Sequence, residues 1–252
     1  MDEMAEWEAM PDVGLERIDA GTSILFAGDP HGRFDQIINA VRLYRPAAVI
    51  LLGDMEAERP LHIQLGEVLE LTELWWIPGN HDTDQEHYTA HLWDGPLAER
   101  NLHGRVVSIA GLRVAGLGGV FRGRVWAPPE PPLFESYRDL LRDIKGRGRR
   151  RNSPAPAGRS AQERLHLSTI FPADWKRLAT QRADVLVTHE APSVHRHGWP
   201  ALDELGRAMG VRLHVHGHHH NHEEYPGAVE KLGYRVRAVG CAGVWVLEAP
   251  AG

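Results

Sequence analysis

Three short apolar runs, each followed within two residues by a glycine, constrain the fold of this chain most strongly. They lie at residues 22–27, 47–52 and 74–77, and helical patterns at 34–44 and 61–71 separate them. A β-α-β-α-β order of short buried strands predicts a parallel sheet with right-handed crossovers. Polar residues that follow such strands gather at one edge of the sheet, where ligands bind.

The second half of the chain has a different pattern. Runs at 105–109 and 112–117 meet at Ala110-Gly111, which predicts a hairpin instead of a crossover. Further strands are predicted at 184–188, 212–216, 234–239 and 243–247, and helices near 172–180 and 201–209. We therefore expect a second, mixed sheet.

The length of the chain allows one large domain or two small ones. The chain has 252 residues, of which 42% are hydrophobic, enough to fill a sizeable core. We expect a single domain over 1–252 with a Pro/Arg-rich insertion at about 128–160, helical over 133–144 and strongly basic over 145–151. Two interpretations of the insertion stay open: a solvated linker, or a lid that guides anions.

Charge and cysteine content exclude several classes of protein. A net charge of -6 gives no global sign of binding to nucleic acid or to a membrane surface. The single cysteine, Cys241, excludes an intrachain disulfide and a cysteine-rich zinc site. Residues 1–18 lack a basic region followed by an apolar stretch, and no apolar run could span a bilayer. We expect a cytoplasmic protein that does not enter membranes; its oligomeric state stays open.

Five polar clusters lie at or beside the predicted strand ends. They are Gly28-Asp29-Pro30-His31-Gly32, Gly53-Asp54, Gly79-Asn80-His81-Asp82, Thr188-His189-Glu190 and Gly217-His218-His219-His220. Together they supply carboxylates, an amide oxygen and several imidazoles, a set that suits Mn, Fe, Co, Ni or Zn. Each cluster alone fits a helix cap, a structural histidine or an adventitious metal-binding tract. Their joint occurrence favours one site.

The order Asp-x-His, Gly-Asp, Gly-Asn-His-Asp, His and Gly-His-x-His resembles the signature of the calcineurin-like metallophosphoesterases, over about residues 22–247. The resemblance implies an α/β fold, a four-layer α/β/β/α sandwich of two mixed sheets, with a dinuclear metal centre at the strand ends. We expect Mn²⁺ first, with Fe, Ni, Co or Zn as alternatives.

The resemblance also implies roles for individual residues. One metal would be held by Asp29, His31 and His220, the other by Asn80, His189 and His218, and Asp54 would bridge them. His81 would lie near the leaving-group oxygen, with Asp82 holding its imidazole, and His219 would point away from the metals. For His214, His216 and His222 a structural role is expected.

Two departures from the family pattern narrow the function. The acid and the arginine of the second motif, Glu58 and Arg59, are each displaced by one residue from the protein-phosphatase pattern, and the third motif ends in Asp82 instead of Glu. Both departures disfavour a protein Ser/Thr phosphatase. Asn80 and the arginines Arg33, Arg59 and Arg122 are candidate substrate contacts, although each arginine also fits an ordinary surface position.

These observations predict a dinuclear-metal-dependent phosphoesterase. A metal-bridging hydroxide would attack phosphorus in line, and an imidazolium such as His81 would protonate the leaving group. The expected substrate is a phosphodiester, a nucleotide or a nucleic-acid end. The alternatives are a phosphomonoesterase or phosphoprotein phosphatase, a non-catalytic scaffold of the same fold, and a metal-storage protein.

Overall fold

Two β-sheets packed face to face form the centre of the protein in the computed structural model, which describes residues 23–148 and 158–248. The strands are β1 Ser23–Ala27, β2 Ala48–Leu51, β3 Glu73–Trp76, β4 Arg105–Ile109, β5 Leu112–Leu117, β6 Val185–Thr188, β7 Leu213–His216, β8 Glu223–Glu224, β9 Arg235–Ala238 and β10 Val244–Glu248. Their orders are β10-β1-β2-β3 in the first sheet and β4-β5-β6-β7-β9-β8 in the second.

The first sheet contains the predicted β-α-β-α-β unit. β1, β2 and β3 are parallel neighbours, as expected from the three apolar runs. The run at 243–247, however, was expected in the second sheet, and this expectation is wrong because β10 pairs antiparallel with β1. The ring of Trp245 stacks on Phe26 of β1 at a centroid distance of 5.6 Å. An apolar run does not encode which sheet edge it joins; side-chain packing of this kind decides it.

The second sheet is mixed, as predicted. β4 and β5 form the antiparallel hairpin at the expected residues, and β5, β6, β7 and β9 run parallel. The two-residue strand β8 pairs antiparallel with β9 and has no apolar run that would have predicted it. Parallel strands in both sheets therefore end on loops that carry the polar clusters.

The alternating direction of side chains along each strand produces the layers of the fold. Ile24 and Phe26 of β1 pack in the cluster between the two sheets, whereas Leu25 and Ala27 pack in the cluster beneath the helices. Successive side chains of a strand point to opposite faces, so a strand covered on both sides is apolar throughout. A third cluster covers the outer face of the second sheet. The result is the four-layer α/β/β/α sandwich.

The helices of the outer layers follow the apolar stripes of the sequence. They are α1 Asp35–Tyr44, α2 Leu61–Gln64, α3 Gly66–Leu71, α4 Glu86–Trp93, α5 Tyr137–Gly148, α6 Ala161–Leu165, α7 Pro172–Ala179, α8 Pro200–Met209 and α9 Ala228–Leu232. The predicted helix at 61–71 is divided at Leu65, and the one predicted at 133–144 begins at Tyr137. The short helices α4, α6 and α9 were not predicted.

Part of the basic insertion belongs to the body of the protein. Leu140 of α5 is 3% exposed and packs in a small cluster with Val125 and Phe171, so this part is not a solvated linker. Residues 149–157, on which the lid interpretation depends, and the expectation for 1–18 lie outside the described residues. Within the described ranges, no helix combines the length and apolar character that a membrane span requires.

Candidate metal centre

The predicted ligands follow the carboxyl ends of parallel strands from both sheets. Asp29 follows β1, Asp54 follows β2 and Asn80 follows β3, while His189 follows β6 and His218 follows β7. The two sheets pack face to face, so their loops meet at one end of the sandwich. This end brings together predicted ligands that are as far apart in the chain as Asp29 and His220.

The backbone is left-handed at most of the predicted ligands. The φ angles are 35° at Asp29, 45° at His31, 51° at Asp54, 69° at His218 and 59° at His220. Residues with a side chain rarely adopt positive φ, and such strain is found where function requires a particular side-chain direction. Five of the seven predicted ligands share this conformation, which turns their side chains toward one another.

Two glycines allow the loops to approach closely. Gly53 has a φ of 102°, and a Cβ there would lie 2.5 Å from Nδ1 of His189. A Cβ at Gly79 would collide with the carboxylate of Asp54. Any larger residue at either position would push the ligands apart.

Four predicted ligands form an inner group: Asp54, Asn80, His189 and His218. Nε2 of His189 lies 3.1 Å from Oδ1 of Asn80 and 3.4 Å from Oδ2 of Asp54. Ligand atoms of Asp54, His189 and His218 all lie within 4.8 Å of one another. The other ring nitrogen of His189 donates to the Leu52 carbonyl at 2.8 Å, which orients Nε2 toward the group.

The other three form an outer group: Asp29, His31 and His220. Nε2 of His31 and Nε2 of His220 lie 3.2 Å apart, and Nε2 of His220 lies 4.0 Å from Oδ2 of Asp29. Nδ1 of His31 donates to Oε1 of Glu56 at 2.6 Å. A carboxylate on the far nitrogen fixes the ring and makes the near nitrogen a better metal donor. Sequence reasoning missed Glu56, although it stands two residues after Asp54, the spacing that also separates Asp29 from His31.

Charge is concentrated in the inner group. Burial lowers the pKa of His189, but the carboxylates of Asp54 and Asp29 outweigh burial and raise this pKa to about 10. Burial raises the pKa of Asp29, with a further contribution from the charge of Asp54. For Asp54 itself, the positive charge of His189 overcomes burial and lowers the pKa. Without metal, a proton on His189 thus balances the carboxylates.

His81 lies at the edge of the inner group. Its backbone N–H donates to Oδ1 of Asp54 at 2.8 Å, and its ring Nδ1 donates to Oδ2 of Asp84 at 2.7 Å. Burial lowers the pKa of His81, but the hydrogen bond to Asp84 and the charge of Asp54 outweigh it, so that this pKa is raised. A partly exposed imidazolium beside the ligands can donate a proton to a leaving group.

The expectation that Asp82 holds the His81 ring is wrong. Residues 81–83 form a 3₁₀ turn, in which side chains three positions apart eclipse, so Asp84 lies beside His81. Asp82 is fully buried and accepts hydrogen bonds from the backbone N–H groups of Gly79 at 2.8 Å and Glu56 at 3.1 Å. Burial and the charge of Asp54 raise its pKa. Asp82 therefore joins the second and third motif loops.

The three predicted substrate arginines differ in position. Nη2 of Arg33 donates to Sγ of Cys241 at 2.8 Å. Arg122 is half-buried, and its guanidinium donates to Thr169 Oγ1 at 3.2 Å and to Ser168 Oγ at 3.4 Å. Arg59 is exposed. Arg33 thus borders the outer group, while Arg122 is held by hydroxyl groups beside the 81–83 turn.

His214, His216 and His219, which are not among the predicted ligands, make structural contacts. His214 is fully buried, and its Nε2 lies 2.7 Å from the hydroxyl oxygen of Thr188. Nδ1 of His216 donates to the Gly217 carbonyl at 2.9 Å. His219 stacks on His195 at a centroid distance of 3.9 Å. Its ligand atom nevertheless lies within 4.8 Å of those of Glu190 and His218, so the expectation that it points away from the site holds only in part.

The residues present fit a divalent metal centre. Asp29 is 0% exposed, and within the described ranges its buried Oδ2 has no hydrogen-bond partner. A buried carboxylate oxygen without a donor is costly unless a cation binds it. The inner and outer groups each add imidazole and oxygen donors, the set preferred by Mn, Fe, Co, Ni and Zn.

Comparisons with known proteins agree with this geometry. An uncharacterized protein of Haemophilus influenzae is 38% identical over 217 residues, which cover 84% of this chain and 91% of that protein. The crystal structure of TT1561 of Thermus thermophilus superposes with a TM-score of 0.53 at 17% identity, covering 88% of this chain and 90% of the other, and so shares the fold. The sequence profile of the calcineurin-like phosphoesterases matches residues 22–222. The chain therefore belongs to the calcineurin-like phosphoesterase family of metal-dependent hydrolases.

Proposed function

We propose that this protein hydrolyses phosphodiesters, with nucleotides and nucleic-acid ends as the substrate class, at a dinuclear metal centre held by the inner and outer groups. The observation that carries the proposal is the convergence of both groups beside the His81–Asp84 pair. Two divalent ions at such a centre would activate water near neutral pH and neutralise the charge on the phosphoryl oxygens. Asp54 is the proposed bridging ligand, and Mn²⁺ is the first ion to test.

The side chains of this chain perform the remaining steps. His81, with its ring held by Asp84, donates a proton to the leaving oxygen as the bond to phosphorus breaks. Asn80, itself a proposed ligand of the inner group, and Arg33, which borders the outer group, are proposed to position the phosphate. Arg122 is proposed as a further contact; its guanidinium donates to Thr169 and Ser168, as that of Arg33 donates to Cys241. Arg59, which is exposed, is the weakest candidate.

The charges around the site support a diester substrate. Carboxylates of Glu56 and Asp84 stand beside His31 and His81, and Oε2 of Glu190 lies 4.0 Å from Nε2 of His218. Since a phosphomonoester carries up to two negative charges and a diester one, these carboxylates repel the monoester more strongly. In either kind of ester the leaving group departs as an alkoxide, which needs the proton that His81 can supply.

The first experiment compares a nitrophenyl phosphodiester with the matching monoester. Metal-stripped full-length protein is reloaded with Mn²⁺, then with Ni²⁺, Co²⁺, Zn²⁺ or Mg²⁺, and kcat/KM is measured on both esters. We expect a higher kcat/KM for the diester. The matched control is His87→Ala, which removes an exposed histidine that pairs with Glu58; its kcat/KM should stay unchanged.

Two other results of the ester comparison would contradict the proposal. A higher kcat/KM on the monoester would contradict a phosphodiesterase and favour a phosphomonoesterase. No hydrolysis of either ester by protein that holds two ions would contradict both activities on simple esters.

We keep a cytoplasmic location as part of the proposal, because the chain has one cysteine and no intrachain disulfide to maintain.

A further inference from the structure

One sulfur atom lies beside the outer group. Cys241 stands in the turn between β9 and β10, and its Sγ and the ligand atoms of His31 and His220 all lie within 4.8 Å of one another. The family motif order that points to the other ligands contains no cysteine at this place. Sequence reasoning missed it because Cys241 stands 21 residues after His220, on a different loop.

The turn that carries Cys241 is tied to the loop that carries Asp29. The backbone N–H of Gly28 donates to the Gly243 carbonyl at 3.0 Å, and that of Ala242 donates to the Asp29 carbonyl at 3.1 Å. These two backbone hydrogen bonds fix the turn that carries Cys241 against the loop that carries Asp29. Sγ therefore keeps a defined place relative to the outer group.

A separate observation points to a cation at this place. Asp29 is 0% exposed, its Oδ2 has no hydrogen-bond partner among the described residues, and this oxygen lies 4.0 Å from Nε2 of His220. Nδ1 of His31 donates to Glu56, so its Nε2 is the atom that faces Nε2 of His220. Nε2 of His220 thus lies near both Oδ2 of Asp29, at 4.0 Å, and Nε2 of His31, at 3.2 Å.

We propose that Cys241 binds, as a thiolate, the ion held by Asp29, His31 and His220. The thiol proton leaves to solvent when the metal binds, and Arg33 donates a hydrogen bond to Sγ that stabilises negative charge there. Sγ and the two imidazole nitrogens form one cluster of donors, and zinc binds both thiolate and imidazole ligands. The inference rests on the proposed dinuclear centre and adds a ligand to it.

The thiolate would give the two ions different preferences. Soft thiolate ligands favour Zn²⁺, Co²⁺ or Fe²⁺ over the harder Mn²⁺, whereas the inner group contributes oxygen and imidazole donors only. We therefore expect the outer group to select zinc from a mixture of zinc and manganese. Replacing Cys241 should lower this zinc-over-manganese ratio by about tenfold or more.

The test uses full-length protein and does not depend on activity. Because Cys241 is the one cysteine of the chain, X-ray absorption of the fully zinc-loaded protein should show one thiolate sulfur per two zinc ions at about 2.3 Å. The Co²⁺-loaded protein should show a thiolate-to-cobalt charge-transfer band, and bound metal should protect Cys241 from iodoacetamide. Both spectroscopic signals should vanish in Cys241→Ser and Cys241→Ala, which retain the ion on three donors at lower affinity.

Metal analysis separates the two proposals. Two bound ions without a sulfur signal, and with equal alkylation rates in metal-free and metal-loaded protein, would overturn the role of Cys241 and leave the dinuclear centre intact. A wild-type protein that binds no ion at the outer group would overturn both. Circular dichroism of the two variants checks that they fold, and a sulfur signal that persists in either variant would also overturn the assignment.

Discussion

The inner and outer groups of the metal centre differ in their exposure to solvent. The side chains of His189 and Asp54 in the inner group are 0% and 2% exposed, whereas that of His220 in the outer group is 51% exposed. In the inner group a buried imidazole and carboxylates balance each other's charge. In the outer group His31 is oriented by Glu56, whose carboxylate is itself partly exposed.

This difference indicates that the proposed dinuclear centre would hold its two ions unequally. Water screens His31 and His220 of the outer group, so each of these two contributes less to the binding free energy than a buried ligand such as Asp29. At the inner group the same charges act in a medium of lower dielectric constant and interact more strongly. We therefore expect the inner ion to bind more tightly and exchange more slowly. The predictions below test this order, from the largest effect to the smallest.

The largest effect is expected for Asp54→Asn. The substitution removes the charge at the centre of the inner group and the proposed bridge to the outer one, so both ions should be lost. Turnover should fall by about 1000-fold, since two ions supply several kcal/mol of charge stabilisation. Metal content and kcat are measured beside Glu70→Gln on the exposed surface of α3. A variant that retains two ions would contradict the bridging role.

His81→Ala should separate chemistry from metal binding. His81 touches Asp54 through its backbone only, so both ions should remain while kcat falls by about 100-fold, the usual contribution of a general acid. Esters with poor leaving groups should lose more than nitrophenyl esters. His87→Ala is the matched control. Loss of metal in His81→Ala would show that this ring is a ligand.

The pH dependence of metal affinity should differ between the groups. The pKa of His189 is raised to about 10, so below that pH a proton must leave before the inner ion binds. Inner affinity should therefore rise about tenfold per pH unit up to about pH 10. Calorimetry in buffers of different ionisation enthalpy should detect about one proton released from His189. An inner-group metal affinity that does not change with pH would contradict the proton on His189.

Glu56→Gln should weaken the outer group alone. The amide no longer attracts the His31 proton as strongly, and loss of such a partner typically lowers metal affinity by about 10-fold or more. The inner ion should be unaffected. Glu58→Gln, two residues further on and bonded to Tyr88 instead, is the control. Equal weakening of both ions would show that the two groups are not independent.

The smallest effect is expected for Asp84→Asn. Asp84 raises the pKa of His81, and His81 donates its proton in the protonated form, so activity is lost as pH rises through this pKa. Removing the charge lowers the pKa, and the alkaline limb of the kcat profile should move to lower pH by up to about one unit. The same variant of Asp82, Asp82→Asn, should lower stability instead, because Asp82 joins two loops. If the alkaline limb of the kcat profile does not move in Asp84→Asn, the pairing of Asp84 with His81 is contradicted.

Much of the site could be predicted from the sequence because local patterns encode it. Each motif stands where an apolar run ends, and strand order places the ends together, so Asp29, Asp54, Asn80 and His189 could be found without coordinates. The hairpin at 105–117 was predicted at its observed residues for the same reason. The sequence also carried the strongest indication of family, since the profile match begins at residue 22 and includes every predicted ligand.

Long-range contacts could not be predicted in this way. Only the fold shows that β10 pairs with β1, that Glu56 orients His31, and that Asp84 rather than Asp82 holds His81. The physical reason is that a run of residues encodes its own backbone conformation and its apolar face, which depend on near neighbours. Partners across the sandwich depend on how two sheets pack and where loops cross. The sequence by itself therefore determined the types and order of the candidate ligands, while tertiary structure decided which partners orient them and placed Cys241 beside the outer group.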